Sequence, residues 1–170
     1  MNDFKKRIQN AIEKHATNQL PKRPTGRKNN KPERQLQKQM IEALKQIGVF
    51  AFHVESKAVY SASAGAYLNS QTVVGCADIL GVTPQGQFLA VEVKSPGRRS
   101  TLREAQCDFL TNVIERGGFA VCSDSLEHLL ALYSEWLTTD LCSRAPLLRR
   151  DLPTARKKHN KSGDDAFDNW

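Results

Sequence analysis

Between positions 33 and 47 the apolar side chains Leu36, Met40, Ile41, Leu44 and Ile47 recur at helical spacing. Pro32 stands before them and Gly48 after them, which predicts an α-helix over 33–47. A second apolar stripe, Leu102, Ala105, Phe109 and Val113, follows the loop 95–100; Thr101 and Glu104 have capping-box spacing, and Gly117-Gly118 closes the run. A third helix is predicted over 126–137, led by Ser123, Asp124 and Ser125. Runs rich in β-branched and apolar residues predict strands at 49–54, 77–82, 87–94 and 119–122. Thr83-Pro84-Gln85-Gly86 joins the middle two as a hairpin. The order is α, β, β, β, α, β, α, an α/β domain with a central mixed sheet flanked by helices.

Side chains alternate along a strand, so Leu89, Val91 and Val93 point one way and Phe88, Ala90, Glu92 and Lys94 the other. Asp78 stands at the end of its strand remote from the turn, as Glu92 does, so the two carboxylates converge. Hard oxygen donors of this kind suit Mg²⁺ or Mn²⁺, and Lys94 beside them suits phosphate chemistry. The plainer alternative is a surface hairpin with an ordinary ion pair. Against it, Leu-Ala-Val-Glu-Val-Lys is apolar enough for an inner strand, where an unbound acid is costly.

The helices bring further candidates. At about 100° per residue, Glu33 falls in line with Leu36, Met40 and Leu44, whereas Glu42 faces water. Glu33 is either a metal or water ligand or an acid complementing the helix dipole. Gln106 lies within the second apolar stripe and must find partners there. It is either a satisfied core glutamine or a group reaching a bound water or phosphate. Arg98, Arg99 and Arg103 lie at the mouth of this arrangement as phosphate contacts, or else form a solvated basic loop.

Composition changes the picture mainly through its distribution. The chain has 170 residues, a net charge of +7 and a pI near 9.4. Residues 1–31 carry nine Lys or Arg against two acids, and residues 149–170 carry six against four. The span between is slightly acidic, with ten against twelve. The expected organisation is therefore a basic N-terminal extension and linker at 1–31, one domain at 32–138, and a polar, partly basic tail at 139–170. In the extension, 4–15 reads as a short amphipathic helix and 21–31 as a disordered linker, an electrostatic arm for phosphates or simply a solvated tail. No apolar run spans a membrane and the basic start lacks a signal-peptide core, so the expected location is cytoplasmic. Cys76, Cys107, Cys122 and Cys142 lack zinc spacing and read as reduced, mostly buried thiols. The segment 57–74, with Tyr60 and Tyr67, is long for a compact core, and its tyrosines either pack or stack on unpaired bases.

Glu33, Gly75-Cys76-Ala77-Asp78, Glu92-Val93-Lys94 and Gln106, in that order and on those elements, resemble the PD-(D/E)xK nuclease superfamily. Within it the chain is similar to the VRR-NUC type, the virus-type replication-repair nucleases related to Holliday-junction resolvases. The resemblance covers roughly 32–137 and departs from the pattern at Ala77, where a proline is common. It implies a PD-(D/E)xK restriction-endonuclease-like core and a metal-dependent DNA endonuclease. In such an enzyme Asp78, Glu92 and the backbone carbonyl of Val93 hold Mg²⁺ or Mn²⁺, with Glu33 as a further ligand. Lys94 then orients or activates the attacking water and stabilises phosphate charge, and Gln106 supports them. The implied substrate is branched or nicked DNA in replication, recombination or repair, including that of a phage, and the implied assembly is a homodimer. A sequence-specific restriction-like enzyme and a non-catalytic DNA-binding module with the same fold are the alternatives.

Overall fold

A computed structural model of the chain describes residues 6–10, 13, 32–54, 58–61, 63, 65–69 and 73–156. Of the expected helix at 4–15, residues 6–10 are helical and Ile8 is buried; the linker 21–31 lies outside the described residues. Helix α1, Pro32–Gln46, starts on a proline whose missing N–H would be unpaired there anyway. It buries Leu36, Met40, Ala43 and Leu44. Gly48 at φ 90° then turns the chain into β1, Phe50–His53.

The long segment expected as a loop carries its own two-stranded ladder, β2 (Ala58–Ser61) and β3 (Ala66–Asn69), with Tyr60 opposite Tyr67. Strands β4 (Ile79–Val82) and β5 (Phe88–Val93) form the expected hairpin. Thr83 closes its turn, since its hydroxyl accepts from the Gln87 N–H at 3.1 Å. A 3₁₀ turn at Arg99–Thr101, α2 (Glu104–Glu115), β6 (Phe119–Ser123), α3 (Leu126–Thr138) and α4 (Leu141–Asp151) complete the order. The main sheet runs β1-β4-β5-β6, antiparallel except for the β5–β6 pair, which α2 connects as a crossover.

Register assigns the faces. Ile79 pairs with Val91 and Leu89 with Phe119, so these residues share one face. Phe119 meets Tyr133 and Trp136 of α3 edge-on, at 5.0 and 5.4 Å between centroids, which places α3 on that face with α1 packed beside it. Ala90, Glu92 and the paired Cys122 look the other way, towards α2.

Four expectations need correction. Thr101 does not cap α2: it belongs to the 3₁₀ turn, where its hydroxyl donates to the Arg98 carbonyl at 2.8 Å. Burial of Leu102 sets that turn, and the helix starts after Arg103. The buried stripe of α2 is Leu110, Val113 and Ile114, leaving Ala105 and Phe109 half-buried. The domain does not stop at 138. Asp140 caps α4 by accepting the Cys142 and Ser143 N–H groups, both at 3.1 Å. Leu147 and Leu148 are buried, and the Arg144 guanidinium lies 4.6 Å from the Trp136 ring centre. All four cysteines are free, but Cys122 alone is buried, while Cys142 is exposed. No helix among the described residues is long and apolar enough to cross a membrane.

Candidate functional site

Continuing the Ile79–Val91 register by one residue sets Asp78 opposite Glu92 on the face that looks to α2. Strand alternation adds Lys94, and Gln106 in the first turn of α2 projects onto the same group. Glu92 Oε1 accepts from Lys94 Nζ at 2.6 Å and also from Gln106 Nε2. Gln106 Oε1 accepts from Lys94 Nζ and from the Arg103 N–H, each at 3.1 Å. Gln106 therefore does two jobs: it pins Lys94 to Glu92 and closes the first turn of its own helix. Glu92 is 2% exposed and Lys94 8%.

Asp78 is held by its surroundings at both carboxylate and backbone. Its Oδ2 accepts the Val93 N–H at 2.9 Å, and its carbonyl accepts from the Val54 N–H at 2.9 Å and from Gln37 Nε2 at 3.0 Å. The Lys94 N–H donates to the Ser123 carbonyl in β6. Because that peptide is trans, the Val93 carbonyl points away from β6, to the Asp78 side. Asp78, Glu92 and this carbonyl thus approach one space. Glu33 is half-buried in the first turn of α1, one turn before Gln37, near enough for its charge to act on Glu92.

Electrostatics mark the group as costly. Burial, then the neighbouring charge of Asp78, pushes the Glu92 carboxyl up to about 8, and these effects outweigh the attraction of Lys94. Burial likewise raises the Asp78 carboxyl, against the Val93 hydrogen bond and Lys94. Glu92 Oε2 is buried and no donor among the described residues meets it, while the Asp78 carboxylate lies within hydrogen-bonding reach of the Glu92 side chain. The linkage has a definite sign. Between its unfolded value of 4.5 and about 8, Glu92 binds a proton in the folded chain but not in the unfolded one, so stability falls as pH rises through that window. In EDTA, the melting temperature is expected to drop from pH 5 to pH 8. Glu92→Gln should flatten that drop, and an identical slope in the variant would show that Glu92 is not its source.

The three arginines separate. Arg98 and Arg103 are exposed. Arg99, expected as a phosphate contact, is occupied inside the fold. Its Nε donates to the Cys122 carbonyl at 2.8 Å and its terminal nitrogen to Asp151 Oδ2 at 2.6 Å and the Asp151 carbonyl at 2.8 Å. Asp151 also meets His128 at 2.9 Å, and the Gly97 N–H donates to Asp124 at 2.7 Å. The loop beyond Lys94 is therefore braced by α4 and by the residue after β6.

Sequence reasoning missed Gln37, Asp124 and Asp151. Only Gln37 carried a signal, its position one turn after Glu33 on the side of the helix that faces the core. Among the described residues, no three His, Cys, Asp or Glu side chains form a ready-made metal cluster. The donor set is two carboxylates, one of them with a buried oxygen that no donor meets, and a backbone carbonyl, which fits a hard cation that keeps several waters. The chain matches no protein-family model, and neither the curated proteins nor the solved structures contain a match to it.

Proposed function

We propose that the chain is a Mg²⁺-dependent endonuclease that hydrolyses DNA phosphodiester bonds, with Asp78, Glu92, Lys94 and Gln106 at its centre. The observation that carries this reading is Glu92. A buried carboxylate shares one oxygen between Lys94 and Gln106, leaves the other buried without a donor, and stands within hydrogen-bonding reach of a second carboxylate, Asp78. A chain that needed these groups only for stability would gain by replacing such a cluster with apolar residues, because its desolvation cost is large.

Asp78, Glu92 and the Val93 carbonyl would hold the cation, with Glu33 close behind them. When bound there, Mg²⁺ or Mn²⁺ supplies the charge that activates water and offsets the negative charge gathering on the phosphate. Lys94, aimed by Glu92 and Gln106, would donate to a phosphate oxygen of the scissile group. Arg98 and Arg103 would contact neighbouring phosphates on the strand. The preference for junctions, flaps or nicks, the membership of the VRR-NUC type and the homodimer rest on the sequence resemblance alone.

The test is cleavage of supercoiled plasmid, linear duplex, flap and four-way junction in Mg²⁺, Mn²⁺ or EDTA. Metal-dependent cutting, abolished by EDTA and by Asp78→Ala, is expected, with branched substrates cut fastest. Retained DNA binding with no cutting of any substrate would favour the non-catalytic module. Preference for one duplex sequence would favour the restriction-like reading.

A further inference from the structure

The groups that the site offers to a cation, Asp78, Glu92 and the Val93 carbonyl, are each held by hydrogen bonds to fixed parts of the fold. Glu92 Oε1 is tied to Lys94 and Gln106, and Asp78 Oδ2 to the Val93 N–H. The Val93 carbonyl is set by its own peptide, whose N–H, that of Lys94, donates to the Ser123 carbonyl at 2.9 Å. These ties come from the sheet or from α2. One further tie comes from α1, in the layer on the other face of the sheet: Gln37 Nε2 donates to the Asp78 carbonyl at 3.0 Å, across 41 residues of sequence.

Holding the helix to the sheet does not require this bond. Leu36, Met40, Ala43 and Leu44 already bury α1, and the Val54 N–H alone gives the Asp78 carbonyl a partner, at 2.9 Å. What the second donor adds is direction. Asp78 stands one residue before β4, outside the ladder that would fix its peptide, and a carbonyl met by two donors is held against rotation about the chain. Gln37 also lies one turn after Glu33 on the same side of α1, about 6 Å along the axis. One amide therefore joins the helix that carries Glu33 to the peptide that carries Asp78.

We propose that Gln37 is a positioning residue that sets the cation preference of the site, holding Asp78 in register with Glu92 and Glu33 so that the donors match a small ion and not a large one. This role depends on Asp78 and Glu92 holding a cation, the reading already proposed for the site, and adds what selects the ion. Mg²⁺ demands near-octahedral geometry at about 2.0–2.1 Å, and Mn²⁺ shares the octahedral preference. Ca²⁺ accepts about six to eight oxygens at about 2.3–2.6 Å in looser arrangements. Donors pinned from two layers of the fold suit the smaller ions. A carboxylate freed to swing still serves the larger one.

The experiment is isothermal titration calorimetry of the full chain with Mn²⁺ and, separately, Ca²⁺, at one pH and without DNA, on the wild type, Gln37→Met, Gln37→Asn and Asp78→Ala. Methionine keeps the length of the side chain and lacks the donor. Asparagine keeps the amide and withdraws it by one methylene, so the result does not hang on how a single replacement packs at this half-buried position. Near-UV circular dichroism checks that each variant is folded. Both Gln37 variants are expected to bind Mn²⁺ about 10-fold more weakly, the lower end of the usual cost of removing a group that orients a metal ligand, while Ca²⁺ affinity falls by a smaller factor. Equal losses for the two ions would show general loosening and overturn the proposal, as would wild-type Mn²⁺ affinity in both Gln37 variants beside a weakened Asp78→Ala. An Asp78→Ala variant that binds Mn²⁺ as the wild type does would instead overturn the cation reading, and this role of Gln37 with it.

Discussion

Lys94→Ala is expected to lower Mg²⁺-dependent cleavage by about 10²–10³-fold, the usual cost of removing one preorganised donor aimed at developing charge. The fold should survive the change. Glu92 loses its Nζ contact but keeps Gln106, and a carboxyl pushed up to about 8 can stay protonated near neutral pH. Burying an unpaired charge, the usual penalty for deleting one partner of an inner ion pair, is thereby avoided. Arg99→Ala supplies the contrast. Its guanidinium binds Cys122 and Asp151, not the carboxylate space, so its loss should lower the melting temperature more than the rate of surviving folded enzyme. Single-turnover rates measured beside near-UV circular dichroism separate the two. An unchanged cleavage rate for Lys94→Ala would remove Lys94 from the chemistry and with it the core of the nuclease reading.

The cluster itself was legible in the sequence because strand alternation and hairpin geometry are local rules. Glu92 and Lys94 must share a face, and the Thr83–Gly86 turn fixes which end of β4 lies beside them. Gln106 was legible from helical phase, and it faces the core although the apolar stripe first drawn through Ala105 and Phe109 was offset from the buried one. What stayed hidden depends on partners distant in sequence. Arg99 carries the same charge pattern as Arg98, and only the position of Asp151, 52 residues on, makes it internal. Helix α4 was hidden for a related reason. Pro146 and four polar or basic residues, Ser143, Arg144, Arg149 and Arg150, dilute its apolar face, so Leu147 and Leu148 reveal their role only once packed against the fold. The hairpin β2–β3 escaped because Ser and Ala in its flanks look like loop composition although Val59, Tyr60, Tyr67 and Leu68 favour strands.

Gly75→Ala should be more damaging than any change to the exposed arginines, through the backbone. Gly75 has φ 79°, and a Cβ there would lie 2.0 Å from the Ala105 carbonyl oxygen and 2.3 Å from its carbon. These are backbone atoms near the start of α2, so no rotamer change relieves the overlap. Either the segment carrying Asp78 lifts off or the turn that presents Gln106 shifts, and both carboxylate and amide lose their registry. The positive φ alone costs an alanine about 1–2 kcal/mol; with the clash, a loss of about 3–5 kcal/mol is expected, the range reserved for strain that cannot relax. At this chain length that is a fall in melting temperature of about 6–20 °C. Gly117→Ala isolates the conformational part, since Gly117 has φ 78° with nothing within 4 Å of its added Cβ. It should cost only a few degrees and leave cleavage intact. If the two variants melt alike, the close approach of Gly75 to α2 is not what holds Asp78 in place.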